Sequence, residues 1–278
     1  MRAEQTVMPG LGLSLEEKTW KAVETIKEYE RFALELSPDG YHLAFSGGKD
    51  SVVIKALADM AGVKYKAVYA VTTIDPPELI QFIRKHHADV EWKRHRKEAL
   101  LTRVALCHGL PNRRFRWCCE EYKEDGGDGL WKILGIRAAE SPNRKERWSV
   151  VSHWHSRKGG MALNPILYWT DEDVWQFIRT NETPYCKLYD EGFKRIGCIG
   201  CPIAARQRRA QFARWPKYKA AWRKAAVTYW ADRHETKDSA KPNFCARFDD
   251  GNAFFEWWLD DNGGSKGAKE DACQMGMF

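Results

Sequence analysis

The 278 residues suffice for one large domain or two modest ones with a sizeable core. Hydrophobic residues make up 44% and charged residues 30%, which is typical of a folded soluble protein, and no stretch approaches the roughly 18 apolar residues that span a bilayer. We therefore expect no membrane partner, and a cytoplasmic location because the first residues lack the apolar run of a secretory signal. The net charge of +7 favours an anionic partner, a nucleotide or a nucleic acid, over a merely solvated basic surface.

Strand and helix signals alternate through the first half of the chain. Capping residues, prolines and glycines mark the helix ends, and short apolar runs mark the strands. The predicted strands are 41–45, 65–71, 90–93, 131–137 and 148–153. The predicted helices are 14–36, 51–60, 76–87, 97–107, 170–179, 203–214, 216–233 and 252–259, and in the second of these Val52, Val53, Leu57 and Met60 should face inward. This order predicts an α/β fold with a Rossmann-like parallel sheet covered by helices and a helical C-terminal part.

The segment Ser46-Gly47-Gly48-Lys49-Asp50-Ser51 lies between a predicted strand and a predicted helix, where open α/β sheets form anion sites. Its glycines let the backbone turn tightly and approach phosphate oxygens, and the following helix adds N-terminal N–H donors. Ser46 and Ser51 add hydroxyl donors, and Lys49 adds a positive charge. Asp50 is unexpected beside phosphates unless Mg²⁺, or a hydrogen bond that braces the loop, compensates it. A plain strand-to-helix turn is the alternative.

This hexad has neither the spacing of the P-loop of common NTPases nor that of the dinucleotide fingerprint. It matches the Ser-Gly-Gly-x-Asp-Ser motif and so resembles the PP-loop superfamily of ATP pyrophosphatases. Further motifs narrow the resemblance; they are residues 74–78, 135–137, 140–144, 164–166, 169–175, 184–193 and 196–202. Together they resemble the phosphoadenosine phosphosulfate (PAPS) reductase family, which includes sulfonucleotide reductases and the ATP pyrophosphatases of DNA phosphorothioation, over residues 41–202.

The resemblance implies an adenine nucleotide alpha hydrolase-like fold with an adenosine nucleotide at the carboxyl ends of the strands. Asp75 would lie beside the nucleotide, and Arg137 and Arg144 would bind its phosphate or sulfate oxygens, since guanidinium pairs with oxyanions in two-pronged fashion. Surface salt bridges are the alternative for both arginines. The predicted nucleotide-binding set is therefore residues 46–51 with Arg137 and Arg144, and the predicted catalytic set is Lys49, Asp50 and Asp75.

The resemblance also suggests three regions. Residues 1–37 would form an N-terminal helical extension, residues 38–165 the PP-loop nucleotide-binding domain, and residues 166–278 a mainly helical region with a Cys-x-x-Cys loop.

Two features depart from the reductases of the family. Those enzymes generally lack the full Ser-Gly-Gly-x-Asp-Ser loop, and their catalytic cysteine stands in a Glu-Cys-Gly tail, whereas the tail here reads Glu270-Asp271-Ala272-Cys273-Gln274. Both departures favour an ATP-cleaving enzyme.

Eight cysteines indicate metal binding or catalysis more than disulfides in a cytosolic protein. The adjacent pair Cys118 and Cys119, followed by Cys198 and Cys201, resembles the ligand set of the [4Fe–4S] cluster in iron–sulfur sulfonucleotide reductases, which requires four thiolates. Zinc fits an adjacent pair less well, and buried free thiols are a further alternative. Cys186 could replace one ligand, Cys107 and Cys245 are expected in the core, and His153 and His155 are expected to be structural.

Basic residues cluster with aromatic ones at 93–97, 113–116 and 206–224, which suits a nucleic-acid backbone with stacked bases. Trp222, Ala225 and Ala226 nevertheless fall at helical spacing with Tyr229 and Trp230, so the favoured interpretation there is a packed helix with a solvated charged face.

Three functions follow. The first is an ATP-dependent sulfur transferase: ATP binds the loop with Mg²⁺, an acceptor is adenylated, pyrophosphate leaves, and sulfur from a donor protein such as a cysteine desulfurase displaces AMP. The acceptor could be a nucleic acid. The second is a sulfonucleotide reductase that binds adenylyl-sulfate and releases sulfite, with Cys273 as the attacking thiolate. The third is a non-catalytic subunit that binds nucleotide or nucleic acid.

Overall fold

The computed structural model describes residues 12–94, 97–124, 126–154, 159–234 and 244–260. The strands in these residues are β1 Tyr41–Phe45, β2 Tyr65–Ala70, β3 Glu91–Lys93, β4 Trp131–Ile133, β5 Val151–His153 and β6 Met161–Leu163. The α-helices are α1 Leu15–Leu36, α2 Lys49–Ala61, α3 Pro77–His86, α4 Leu100–Arg103, α5 Trp117–Cys119, α6 Pro142–Arg147, α7 Asp171–Thr180, α8 Ala205–Arg214, α9 Pro216–Arg233 and α10 Gly251–Leu259. None of the described helices is both long and apolar enough to cross a bilayer.

The described residues divide into two compact units. The first unit contains residues 12–70, 78–93, 126–154 and 159–192, and the second contains residues 71–77, 94, 97–124, 193–234 and 244–260. Each unit is therefore assembled from separate stretches of chain. The predicted region boundaries at residues 37 and 165 follow a different division and stay a prediction.

The first unit holds one six-stranded sheet with the order β3-β2-β1-β4-β6-β5. All neighbouring strands are parallel except β5, which runs antiparallel to β6 at one edge. This confirms the predicted α/β class with a parallel sheet covered by helices. Central β1 has Tyr41, Leu43 and Phe45 buried on one face and His42 buried on the other, as expected for a strand covered on both faces.

Two strand predictions needed correction. The strand predicted at 131–137 ends at Ile133, because the chain then turns toward the loop after β1: a Cβ at Gly135 would lie 3.1 Å from the backbone of Asp50. The sequence interpretation also missed β6, a three-residue strand that pairs with both β4 and β5. So short a strand carries too little alternation of polar and apolar residues to be recognised on its own.

Helices α1 and α2 follow their sequence signals. Ser14 and Glu17 form the predicted capping box, and Gly62 ends α2 in the left-handed conformation. Val52, Val53 and Leu57 are buried as predicted, but Met60 is 52% exposed. The prediction for Met60 was wrong because the buried stripe of α2 continues through residues 57, 58 and 61 instead.

The second unit is helical in its described residues. The helix predicted at 97–107 is α4 followed by a π-helical turn at Val104–His108, where the amide of Gly109 donates to the carbonyl of Val104. Helix α9 packs against this turn and against α10. Trp222, Ala225 and Ala226 are buried as predicted, and the ring of Trp222 stacks on Trp258 at 4.9 Å.

Candidate functional site

The loop between β1 and α2 is shaped by its two glycines. Gly47 has φ of +70°, and a Cβ there would lie 2.6 Å from Leu79 Cδ1 and 2.9 Å from Ile83 side-chain carbons. A side chain at this position would therefore be both strained and overpacked. Gly48 is the N-cap of α2 and, having no side chain, leaves the first N–H groups of the helix without a side-chain cap. Such a helix start presents N–H donors and a positive dipole end to an anion.

The loop hydroxyls hold its shape. Ser46 Oγ donates to Ser51 Oγ at 3.2 Å and accepts from the Gly48 amide at 3.4 Å, while Ser51 Oγ donates to the Gly48 carbonyl at 2.8 Å. Outside the loop, the Lys49 amide donates to the hydroxyl of Tyr189 at 2.8 Å. These bonds fix the loop before any ligand enters.

Four charged side chains beside the loop form a closed ring of alternating sign. Arg137 Nε donates to Asp50 at 2.6 Å and its Nη2 to Asp171 at 2.9 Å. Lys49 Nζ lies 3.1 Å from Asp50 and 3.0 Å from Asp171. Arg137 is only 3% exposed, whereas the side chain of Asp171 is 64% exposed, so the ring reaches from the interior to solvent at that one carboxylate.

Charges within the ring shift the pKa values of Arg137 and Asp171. Burial alone would lower the pKa of Arg137, but the charges of Asp50, Glu140 and Asp171 outweigh it and raise that pKa. Burial likewise opposes ionisation of Asp171, yet Lys49 and Arg137 lower its pKa. Arg137 and Asp171 are therefore both charged at neutral pH.

The structure brings most of the predicted nucleotide-binding residues together. Residues 46–51 and Arg137 meet at the carboxyl end of β1, and the hydrogen bond to Arg137 is the kind of brace that makes Asp50 tolerable in this loop. Arg144 is paired with Glu140, which also accepts from the Arg137 amide at 3.2 Å. Phosphate binding by either arginine stays a prediction.

Sequence reasoning missed Asp171 and Tyr189. Both lie more than 100 positions along the chain from the loop that they contact. Asp171 is the residue after the helix cap Thr170, and an acidic residue in a first helical turn is too common to indicate a distant partner.

Asp75 belongs to the second unit. Its carboxylate accepts from the Thr72 hydroxyl at 2.5 Å and from the Thr72 amide at 3.3 Å, and it is buried. Its backbone carbonyl accepts from the Tyr218 hydroxyl at 3.1 Å. The predicted position of Asp75 beside the nucleotide is not tested by these contacts and stays a prediction.

The four predicted metal ligands all lie in the second unit. Cys118 and Cys119 are on the three-residue helix α5, and Cys198 and Cys201 close a turn in which the Cys201 amide donates to the Cys198 carbonyl at 3.3 Å. Gly200 has φ of +81°, and a Cβ there would lie 2.8 Å from the indole nitrogen of Trp222. The Cys-x-x-Cys turn therefore requires glycine at this position.

The four thiols lie within electrostatic range of one another. A hydrogen bond with Cys119, burial, and the charges of Cys119, Cys198 and Cys201 raise the pKa of Cys118. Burial raises the pKa of Cys198 to about 12, against the opposing charge of Lys123. Nevertheless, across the described residues no three His, Cys, Asp or Glu side chains have the arrangement of a metal site. The donor set fits an iron–sulfur cluster in kind and number, without the geometry of a bound metal.

The other cysteines show varied surroundings. Cys186 is buried in the first unit, and burial raises its pKa. Cys245 is buried as predicted, whereas Cys107 is only partly buried and its sulfur accepts from Arg103 at 3.2 Å. The predictions for Cys273 and His155 fall outside the described residues.

The chain is similar to several known proteins. A model of the phosphoadenosine phosphosulfate reductase domain matches residues 40–204. An uncharacterized protein of Methanocaldococcus jannaschii is 31% identical over 229 residues, which cover 75% of this chain and 47% of that protein. An adenosine 5'-phosphosulfate reductase of Staphylococcus epidermidis is 27% identical over 204 residues, 68% of this chain and 79% of that enzyme.

Among solved structures, a phosphoadenylyl-sulfate reductase from Candida auris in a phosphate complex aligns with a TM-score of 0.48 at 18% identity, over 68% of this chain and 98% of that chain. The chain spans about half the length of the two Methanocaldococcus jannaschii proteins that it matches, at 47% and 46%.

Proposed function

The chain belongs to the phosphoadenosine phosphosulfate reductase domain family, and from that premise we propose that it binds ATP with Mg²⁺ on residues 46–51 and cleaves it to AMP and pyrophosphate during sulfur transfer. The coarser part of this function, an adenine-nucleotide enzyme of sulfur metabolism, is what the family relationship supports. The ATP-cleaving chemistry is the specific proposal.

One observation carries the proposal: the complete Ser-Gly-Gly-Lys-Asp-Ser loop is held in a glycine-dependent turn at the start of α2 by its own hydroxyls and by Tyr189. Gly47 allows the left-handed turn close to Leu79 and Ile83, and Gly48 places no side chain at the start of α2, whose first turn presents N–H donors. Asp50, the residue that makes the loop unlike a simple phosphate cradle, is held by Arg137 and Lys49. A donor array fixed in advance stabilises a leaving pyrophosphate without reorganising during the reaction.

The proposed reaction is adenylation. An acceptor atom attacks the α-phosphorus of ATP, the bond to the α,β-bridging oxygen breaks, and the β- and γ-phosphates leave together as pyrophosphate. Lys49 and Mg²⁺ would offset the charge that develops on the leaving group, and Asp50 would keep Lys49 and Arg137 oriented. Asp75 stays in the proposed catalytic set. Sulfur from a donor protein, such as a cysteine desulfurase, would then displace AMP from the acceptor.

Labelled ATP tests this directly. The full chain is incubated with Mg²⁺ and ATP labelled at the α-phosphate, with water in place of the acceptor as the group that attacks the α-phosphorus, and AMP is separated from ADP. We expect AMP and pyrophosphate from the wild type, and a loss of roughly 100-fold or more in Lys49→Ala and Asp50→Asn. Lys55→Ala is the matched control, since Lys55 lies on α2 but pairs with Asp59 and Asp89. Unchanged activity in the two loop variants contradicts the proposal.

A reductase is the second candidate, favoured by the similarity to the Staphylococcus epidermidis enzyme named adenosine 5'-phosphosulfate reductase. It would bind an adenylyl-sulfate in place of ATP and release sulfite. Sulfite formation from adenylyl-sulfate with a dithiol reductant, lost in Cys273→Ser and accompanied by no AMP formation from ATP, would replace the first proposal by this one.

We also propose that Cys118, Cys119, Cys198 and Cys201 hold a [4Fe–4S] cluster, which would supply structural support or sulfur delivery. The gathering of four thiols and the glycine-dependent turn support this assignment. Protein purified without oxygen should show a broad brown absorption near 400 nm in its ultraviolet–visible spectrum, lost in Cys198→Ser and kept in Cys245→Ser. A colourless wild type with bound zinc, or with no metal, rejects the cluster.

A further inference from the structure

The second unit carries a run of positive charge in the sequence. Residues 193–231 contain ten lysines and arginines and no aspartate or glutamate. None of these ten cations belongs to the loop at residues 46–51 or to the set of four thiols. Part of it has a structural explanation, and the remainder forms a distinct surface.

The structural part faces α10. Arg208 is 1% exposed, donates to the Trp258 carbonyl and lies over the Trp258 ring at 4.1 Å. Arg209 and Arg223 pair with Asp260 and Glu256. These three arginines support packing within the second unit, and the burial of Arg208 departs from the solvated charged face expected from the sequence.

Five other cations cluster at the junction of α8 and α9. The rings of Phe193 and Trp215 stack at 5.3 Å and bring the segment before Cys198 against this junction. The guanidinium of Arg214 lies 5.6 Å from the Trp215 ring. We call the group the basic corner; its members are Lys194, Arg195, Arg214, Lys217 and Lys219, all at least partly exposed.

The placement of two of these lysines is unfavourable for the helix itself. Lys217 and Lys219 lie in the first turns of the 18-residue helix α9, and its first turn has no acidic residue. The positive end of a helix dipole repels cations there, at a cost of about 0.3–1 kcal/mol each. A bound polyanion would turn both the lysines and the dipole into attractive elements.

From this arrangement we infer that the basic corner binds the phosphodiester backbone of a nucleic acid. The cations are spread over an outer surface, as suits an extended polyanion, and the partly exposed aromatics Phe193 and Tyr218 lie among them, where bases can stack. The inference rests on the proposed function in one respect. It identifies the acceptor of the sulfur as a nucleic acid.

Fluorescence anisotropy of the full chain with labelled oligonucleotides of about 20 nucleotides tests the inference. Single-stranded RNA, single-stranded DNA and duplex DNA are compared, so that the source of the backbone is identified. Lys217→Glu/Lys219→Glu should weaken binding roughly 10-fold or more and reduce the slope of log K against log salt by about 1.4, since each lost contact removes about 0.7 on a single strand. Because glutamate suits the start of α9, this variant should melt no lower than the wild type, which separates lost binding from unfolding.

Lys21→Glu/Lys27→Glu on α1 makes the same change of charge on another exposed helix and should bind nucleic acid nearly as the wild type does. Equal weakening in both double variants, no nucleic-acid binding by the wild type, or equally tight binding of polyglutamate overturns the inference. ATP cleavage is measured on the same preparations. Cleavage without nucleic-acid binding refutes this inference alone, and nucleic-acid binding without cleavage refutes the proposed function alone.

Discussion

The loop at residues 46–51 and the site formed by Cys118, Cys119, Cys198 and Cys201 are held in place by different interactions. The loop is fixed by a central strand, a long helix, the hydroxyl of Tyr189 and a buried ring of charges. Cys118 and Cys119 instead lie on a helix of three residues that continues into a π-helical turn, and their described surroundings lack metal-site geometry. The loop is thus organised without a ligand, whereas the proposed cluster would have to bring the four thiols into their final arrangement.

The strongest test of this difference is Arg137→Ala. It leaves Asp50 and Asp171 facing each other with one cation, and breaking a buried pair in this way costs about 3–5 kcal/mol of unfolding free energy. Urea unfolding of wild type and variant measures the loss. Arg179→Ala, which breaks an exposed pair with Glu172, should cost no more than about 1 kcal/mol. Similar losses in both variants would mean that the ring does not brace the loop.

A somewhat smaller effect is expected for Gly47→Ala. The left-handed backbone costs about 1–2 kcal/mol with a Cβ, and the contact with Leu79 and Ile83 adds about 1–3 kcal/mol of overpacking. Gly62→Ala is the matched control: its φ of +68° is nearly the same, but nothing lies within 4 Å of the added Cβ. If both variants unfold at the same urea concentration, the loop is less tightly packed than described.

Acid sensitivity should come from His87 and not from the charge ring. Burial and the charge of Lys55 lower the pKa of His87 to about 4, so below pH 6.5 the unfolded chain binds a proton that the folded chain resists. The contribution of His87 to the free energy of unfolding is therefore fully present above pH 6.5. The free energy of unfolding decreases as the pH drops and is about 2 kcal/mol lower at pH 5. His87→Phe should remove this slope in urea unfolding at pH 7.5, 6 and 5.

Asp171→Asn is the control for that experiment. Because Lys49 and Arg137 lower the pKa of Asp171, its contribution to stability is present above its ordinary pKa and is lost only in stronger acid. The variant should keep the wild-type slope between pH 7.5 and 5. A slope that disappears in Asp171→Asn would assign the acid sensitivity to the loop.

The smallest effect expected is that of Tyr189→Phe, which removes the acceptor of the Lys49 amide and should cost about 1 kcal/mol in urea unfolding. Tyr185→Phe loses an exposed hydrogen bond to Asp190 and should be nearly neutral. A neutral Tyr189→Phe would show that the loop does not need this distant hydroxyl.

The parts predicted from the sequence are those with local causes. The turn at Gly47 and Gly48, the end of α2 at Gly62 and the cap of α1 each depend on residues within a few positions, whereas α2 begins at Lys49, two residues before its predicted start. Asp171 and Tyr189 escaped prediction because their contacts with the loop exist only after the chain has returned to it. The cysteine spacing predicts a four-thiol metal site, which stays a prediction, because the geometry of such a site depends on side-chain packing that spacing does not encode.

The central claim, that residues 46–51 hold the phosphates of an adenine nucleotide, is tested most directly by isothermal titration calorimetry with ATP and Mg²⁺. The account predicts wild-type binding with a dissociation constant between about 1 μM and 1 mM, at least roughly 10-fold weaker binding in Gly47→Ala, and unchanged binding in Gly62→Ala. Absence of binding heat in the wild type, or equal affinity in all three proteins, would contradict it.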